Sequence, residues 1–157
     1  MSIRRHPLTP SQAAPGLKPD LELAARLEKS AAACGPLGGP GGGRLALRFY
    51  ERLFEKVPAV RGMFPADMTK QADKLGQTLE HVIAHLRSSD DLSKDLKELG
   101  ERHVGYGAKP AHYVVVIEEL VGAMCDIGGA SFTQEDADDW RLALRLISER
   151  MIGGPLP

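Results

Sequence analysis

The order of His103, Gly105, Gly107 and Pro110 in LGERHVGYGAKPAHYVVVIEEL, residues 99–120, predicts a helix, a sharp corner and a second helix. Gly105 and Gly107 permit the positive φ angles of a tight corner. Pro110 suits the first turn of a new helix, because that turn leaves backbone N–H groups unpaired in any case. His103 is therefore expected in the last turn of the first helix, immediately before the corner.

Two roles are open to His103 from its position alone. An imidazole at a helix end can turn one ring nitrogen toward a pocket and bind a metal. A cationic histidine there also stabilises the carbonyl end of the helix, which carries partial negative charge. The local spacing does not choose between these roles.

The rest of the chain shows helical periodicity without the alternation that is typical of strands. Asp20 can cap a helix that runs to about residue 33, and Asp67 can cap another that runs to about residue 89. Thr133 or Ser131 can cap the last helix. Apolar stripes with helical spacing are expected at Leu47, Tyr50, Phe54 and Val57, with a second stripe beside them at Leu45, Phe49 and Leu53; at Leu75, Leu79, Val82 and Leu86; and at Ala137, Trp140, Leu144, Ile147 and Met151. The pattern predicts an all-α fold with six to eight helices.

Composition places the chain among ordinary globular proteins. It has 157 residues, enough for one domain, and a net charge of −1 that favours neither nucleic acid nor a membrane surface. Cys34 and Cys125 match no zinc spacing, so a reducing cytoplasm is expected. Arg4 and Arg5 are not followed by an apolar run, so no signal peptide is predicted. No stretch is long and apolar enough for a membrane span.

Two segments are rich in proline or glycine. Residues 1–19 contain four prolines and are predicted to be a flexible tail, followed by a domain over residues 20–154. The segment CGPLGGPGGG, residues 34–43, is predicted to be a loop. It lacks the GxxxxGK[ST] pattern of a phosphate-binding loop, and no strand precedes it.

Several polar and aromatic residues stand in unusual places. Phe64 is a large apolar residue in an irregular corner and must pack on something. Gln71 enters an apolar helix face, where its amide needs a partner unless it still reaches water. His81 and His85 are spaced for metal chelation, but they lie at the edge of the apolar face and are interpreted as a solvated flank.

Three blocks in order, LALRFYERLFEKVPAVRGMF, DMTKQADKLGQTL and LGERHVGYGAKPAHY, resemble the bacterial single-domain globins and the haem domain of flavohaemoglobins. The resemblance extends from about Arg44 to Ile152. It implies a globin fold around haem b, an iron protoporphyrin.

On the proximal side, the resemblance matches His103 to the histidine that ligates the haem iron. Leu99 would pack under the ring, Arg102 could meet a haem propionate, and Tyr113 matches a tyrosine that pairs with the histidine. The family's partner glutamate of the last helix falls near Pro155, past the expected helix end. The charged relay that promotes peroxidase-like O–O cleavage is therefore incomplete in this sequence.

On the distal side, the resemblance matches Tyr50 and Gln71 to the tyrosine and glutamine that bond to a haem ligand. Phe64 matches the phenylalanine that stacks on the porphyrin, and Leu75 falls over the iron. Lys74 could meet a second propionate. Each hydrogen bond to a ligand contributes about 1 kcal/mol, so two donors predict slow O₂ release.

The resemblance implies a protein that reversibly binds O₂, NO, CO or other small ligands at an open iron site, for oxygen transport or storage. One alternative is a nitric oxide dioxygenase that depends on a separate reductase, since the residues leave no room for a flavin domain. Another is a gas sensor that acts through a protein partner.

Overall fold

The computed structural model describes residues 20–35, 37, 43–87 and 93–157. This part of the chain is helical and contains no strand. In chain order it comprises α1 (Leu21–Ala32), α2 (Gly43–Lys56), a 3₁₀-helix (Pro58–Met63), α3 (Thr69–Arg87), α4 (Ser93–Gly105), α5 (Pro110–Gly128), a short 3₁₀-helix (Gly129–Ser131) and α6 (Gln134–Ile152). The predicted all-α class is confirmed.

The helices begin where their capping residues predict. The Asp20 side chain accepts a hydrogen bond from Leu23 N at the start of α1. Thr133 and Asp136 form a reciprocal capping box at the start of α6. These bonds satisfy backbone N–H groups that the first turn of a helix leaves without partners.

The core lies where α5 packs against α2 and α6, while α1 packs against α3 and α6. Trp140 of α6 is fully buried, and its Nε1 donates to Ser30 Oγ of α1 at 2.8 Å. The Ser30 hydroxyl in turn donates to Leu27 O at 3.1 Å. This chain of bonds satisfies both buried polar groups and joins the first helix to the last.

Helices α4 and α6 approach each other at Gly100. A Cβ at Gly100 would overlap the backbone carbonyl of Met151, so any side chain there would push the two helices apart. Because Gly100 lies three residues before His103, this contact sets the position of the end of α4 that carries the histidine.

Ion pairs join α2 to α5 on the surface. Arg48 and Arg52 both contact the Asp126 carboxylate at 2.9 Å, and Arg52 Nε lies 3.2 Å from the Glu119 carboxylate. These groups are partly exposed, so each pair contributes little to stability by itself. They link the helix that carries Tyr50 to the helix that carries Tyr113.

One residue of the predicted apolar stripes is exposed to solvent. Leu47 is 55% exposed, so its prediction as a core residue is wrong. The buried arc of α2 consists of Leu45, Ala46, Phe49, Tyr50 and Leu53. The helix is amphipathic over one arc only, and position 47 lies outside it.

Other sequence predictions lie outside the described residues. These are the flexible tail at 1–19, most of the loop at 34–43 and the side chain of His85. His81 is exposed, as predicted. None of the described helices combines the length and the apolar character that crossing a membrane requires.

Candidate functional site

His103 occupies the last turn of α4, as predicted, and is half-buried. Its Nδ1 lies 2.8 Å from the carbonyl oxygen of Leu99. Since a carbonyl only accepts hydrogen bonds, the neutral ring carries its hydrogen on Nδ1 and its lone pair on Nε2. This arrangement prepares Nε2 to bind a metal, because the backbone bond fixes the tautomer and the direction of the ring.

The corner after α4 follows from glycine. Gly107 has a φ of +90°, which a residue with a side chain rarely adopts, whereas Gly105 is still helical. The N–H groups of Tyr106 and Ala108 both bond to the His103 carbonyl, at 3.1 Å and 2.9 Å. The backbone thus turns sharply around His103 before α5 begins at Pro110.

Tyr113 lies beside the histidine. The two ring centroids are 6.0 Å apart, and among the described residues the Tyr113 hydroxyl is buried without a hydrogen-bond partner. Burial raises the pKa of this phenol, so it stays protonated at neutral pH. A buried hydroxyl without a partner is costly in a folded protein and marks a place where a bound group could supply one.

No carboxylate from α6 reaches Tyr113. The helix ends at Ile152, and Gly153 closes it in the left-handed conformation, so Pro155 lies beyond the end. The Glu149 carboxylate instead accepts a hydrogen bond from Arg145 Nε at 3.1 Å. The sequence predicted that the charged relay is incomplete. In the described residues, no carboxylate of α6 bonds to Tyr113.

Tyr50 and Gln71 meet between α2 and α3. Gln71 Nε2 donates to Tyr50 Oη at 3.3 Å. Tyr50 is buried, whereas Gln71 is only half-buried. Burial raises the pKa of the Tyr50 phenol, and the bond from Gln71 offsets part of that rise. The phenol therefore keeps its proton at neutral pH and can donate it to a third group.

An aromatic cluster surrounds Tyr50. The Phe64 centroid lies 5.4 Å from that of Tyr50 in an edge-to-face arrangement, and Phe54 stacks on Tyr50 at 5.8 Å. Phe49 completes the cluster at 4.8 Å from Tyr50. Edge-to-face and offset rings attract each other beyond the effect of burial. The sequence predicted that Phe64 must pack on something, and it packs against the Tyr50 and Phe54 rings.

Arg61 is a residue that the sequence reasoning did not single out. Its guanidinium donates to the carbonyl oxygens of Phe64, Pro65 and Ala66 at 3.3, 2.9 and 3.2 Å. It also lies over the Phe54 ring, with Cζ 4.9 Å from the centroid. The sequence offered one signal for this role: Arg61 lies three residues before Phe64, in an irregular segment between two prolines.

The remaining predicted site residues fall into two groups. Leu75 and Leu99 are half-buried and apolar, whereas Lys74 and Arg102 are exposed. The corner after α4 lies near the segment that leads to Phe64, because a Cβ added at Gly107 would lie 3.5 Å from Met63 Cε.

The Globin family model matches residues 47–151, which is more than half of the chain and includes Tyr50, Gln71 and His103. The chain belongs to the globin family. The all-helical architecture agrees with this membership.

Curated relatives of this globin include bacterial and plant proteins. A flavohemoprotein of Bacillus subtilis is 29% identical over 109 residues, which cover 68% of this chain and 27% of that protein. Leghemoglobin 3 of Sesbania rostrata is 30% identical over 109 residues, which cover 60% of this chain and 72% of that protein. The matched part of this globin therefore covers less than a third of the flavohemoprotein.

Two solved structures share the fold. One is RmaNOD of Rhodothermus marinus, an engineered carbene transferase from a candidate nitric oxide dioxygenase, with a TM-score of 0.70 and coverage of 86% of this globin and 91% of that chain. The other is a bacterial globin of Campylobacter jejuni, with a TM-score of 0.65 and coverage of 85% and 94%. At 18% identity each, both support the fold alone.

The donor set of this globin suits haem better than a bare metal ion. Within the described residues, no three His, Cys, Asp or Glu side chains form a cluster that could hold a metal. A bare ion needs several protein ligands, whereas haem iron needs only one or two from the protein. His103 supplies one nitrogen, Nε2, in the tautomer that can bind iron. Among the described residues, the Tyr113 hydroxyl beside it has no hydrogen-bond partner.

Proposed function

We propose that this globin holds haem b through His103 Nε2 and reversibly binds O₂ and other diatomic ligands. We further propose that residues 20–154 form the binding unit. When bound, the haem supplies an iron atom with one coordination position open to a small ligand. The tautomer of His103, set by the Leu99 carbonyl, supports this assignment of the axial ligand.

The Tyr50–Gln71 pair is the observation that carries the proposal. Tyr50 Oη already accepts a hydrogen bond from Gln71, so its own O–H is available to a ligand on the distal side. Gln71 has a second amide hydrogen and can add another bond. Because both groups donate hydrogen bonds, they would retain a ligand that carries partial negative charge, such as O₂, more strongly than CO.

Apolar and charged residues complete the proposed cofactor site. Phe64 and Leu75 would contact the porphyrin on the distal side and Leu99 on the proximal side; all three are half-buried. Lys74 and Arg102 are exposed cations, which suits a contact with propionates at the protein surface.

The proximal side supports reversible binding over peroxidase chemistry. His103 bonds to a neutral carbonyl, and no carboxylate joins it or Tyr113 among the described residues. A carboxylate partner would make an axial histidine more electron-donating, which promotes cleavage of an O–O bond. Among the described residues, this globin therefore has no carboxylate that would promote O–O cleavage through His103.

A second candidate function is nitric oxide dioxygenation, which converts O₂ and NO to nitrate. The same Tyr50–Gln71 pair favours it, because retained O₂ gives NO time to arrive. Each turnover would leave the iron oxidised, so a separate reductase would have to supply an electron.

The deciding experiment is an absorption spectrum of the purified protein, ferric and then reduced, with His103→Ala and His81→Ala compared. We expect a Soret band that is five-coordinate on reduction and shifts with CO. His103→Ala should lose or alter the band, and the exposed His81→Ala should keep it. No haem after reconstitution would contradict the proposal. Steady-state NO consumption with a reductase, above the rate without protein, would support the dioxygenase.

A further inference from the structure

Arg61 holds both backbone polar groups of Phe64. The Phe64 N–H donates to the Arg61 carbonyl at 3.2 Å, and Arg61 Nη1 donates back to the Phe64 carbonyl at 3.3 Å. Two further bonds reach the carbonyls of Pro65 and Ala66. A guanidinium presents several N–H donors in one rigid plane, so one side chain can bind three successive carbonyls.

The segment that Arg61 holds has no regular backbone hydrogen-bond pattern of its own. Residues 64–68 lie between the 3₁₀-helix and α3 and belong to no regular element. Pro65 has no N–H to donate, and both Pro65 and Ala66 are exposed. Without the guanidinium, three carbonyls would lose their bonds within the protein, and the path of the backbone at Phe64 would be less restricted.

Arg61 also contacts the ring cluster directly. Its Cζ lies 4.9 Å from the Phe54 centroid, and Phe54 contacts both Tyr50 at 5.8 Å and Phe64 at 5.4 Å. Phe64 itself contacts Tyr50 at 5.4 Å. A change at Arg61 can thus reach the Tyr50 ring by two routes, through the Phe64 backbone and through the Phe54 ring.

We propose that Arg61 is a positioning residue, which sets the rate of O₂ release by holding Phe64 and Phe54 so that the Tyr50 hydroxyl points at the ligand. The inference rests on the proposed haem function. Arg61 needs no contact with the ligand or the haem for this role. Its removal releases Tyr50 from one orientation, which weakens the hydrogen bond that retains O₂.

The test compares Arg61→Met and Arg61→Lys with wild type, all with haem bound. Methionine keeps the length of the chain without any donor, and lysine keeps the charge but cannot bind three carbonyls at once. Arg145→Met is the matched control, since Arg145 pairs with Glu149 on the exposed face of α6. We expect both Arg61 variants to keep the five-coordinate ferrous spectrum and to release O₂ about fivefold faster. Arg145→Met should match wild type.

A double-mutant cycle separates positioning from general loosening. In a Tyr50→Phe background, Arg61→Met should change O₂ release little, because the hydroxyl through which it acts is gone. The infrared CO stretch of Arg61→Met should shift toward that of Tyr50→Phe. A loosened fold would instead speed release equally in both backgrounds and leave the CO stretch in place, which would overturn the inference.

The remaining outcomes separate a failure of the Arg61 inference from a failure of the proposed function. Haem bound with unchanged O₂ release in both Arg61 variants overturns the inference and leaves the proposed function standing. If Arg61→Met fails to fold, Arg61→Lys supplies the measurement. If neither binds haem while Arg145→Met does, Arg61 is structural and the inference is wrong. A wild-type protein without haem overturns the proposed function itself.

Discussion

Gln71 Nε2 lies 3.3 Å from Tyr50 Oη and donates a hydrogen bond to it, which joins α3 to α2 inside the proposed ligand pocket. The direction of this bond matters. A phenol oxygen that accepts from an amide keeps its own hydrogen, so the pair presents an O–H to any third group. Burial raises the Tyr50 pKa, so the hydrogen remains on the oxygen at neutral pH.

Tyr50→Phe should release O₂ about tenfold faster, because it removes a hydrogen bond of about 1.4 kcal/mol from a dry pocket. Stopped-flow displacement of O₂ by CO measures this rate. The release of CO, measured with NO as the displacing ligand, is the control and should change less. Equal O₂ release from wild type and variant would contradict the role of Tyr50.

Tyr113→Phe should not weaken the haem-free protein. Its hydroxyl is buried without a partner, so removal should leave the free energy of unfolding unchanged or raise it by up to about 1 kcal/mol. Urea denaturation measures the change. Tyr50→Phe is the matched control and should lose about 1 kcal/mol, because its hydroxyl bonds to Gln71. Equal losses in both variants would mean that Tyr113 has a partner.

Gly100→Ala should destabilise the protein by about 2 kcal/mol and weaken haem retention, because its Cβ would overlap the Met151 carbonyl. Gly105→Ala in the same helix is the control. Nothing lies within 4 Å of a Cβ at Gly105, and its φ is not positive. Alanine there should be neutral or slightly stabilising. Thermal unfolding and haem transfer to apomyoglobin measure both effects, and equal losses would contradict the close helix contact.

Cys125 should react with a thiol reagent at pH 8 while Cys34 does not. Burial raises the pKa of the Cys34 thiol to about 11, and its Sγ lies 3.7 Å from the Met124 carbonyl, whereas Cys125 is exposed. The thiolate is the reactive form, so Cys34 should react only on unfolding. Titration of the wild-type protein with Ellman's reagent should show one fast-reacting thiol, and the control Cys125→Ser should show none. Two fast-reacting thiols in the wild type would contradict the prediction.

The same shift gives a pH dependence of stability. The folded-state pKa of Cys34 lies above the ordinary value of 9.0, so the unfolded chain loses its proton first. The free energy of unfolding should fall as the pH rises from 9.0 to about 11, and the Cys34 contribution should be complete below that range. Cys34→Ala should show a smaller fall in urea denaturation across these values.

The helix boundaries were largely predictable because capping and turn residues act locally. Asp20, Thr133 and Gly153 lie where the helices begin and end, and Gly107 adopts the positive φ expected of the corner. The burial of single residues was less predictable. Leu47 fitted an apolar stripe and is exposed, because which arc of a helix is covered depends on its neighbours.

The sequence by itself determined the helical class, the corner after His103 and the family resemblance, because periodicity, glycine, proline and motif order are local properties of the chain. Only the tertiary structure decided which groups meet. Tyr50 and Gln71 are 21 positions apart in sequence and form a hydrogen bond in the fold. Arg61 donates to three carbonyls that its position in the sequence did not predict. Such contacts arise from packing between helices, which no local pattern encodes.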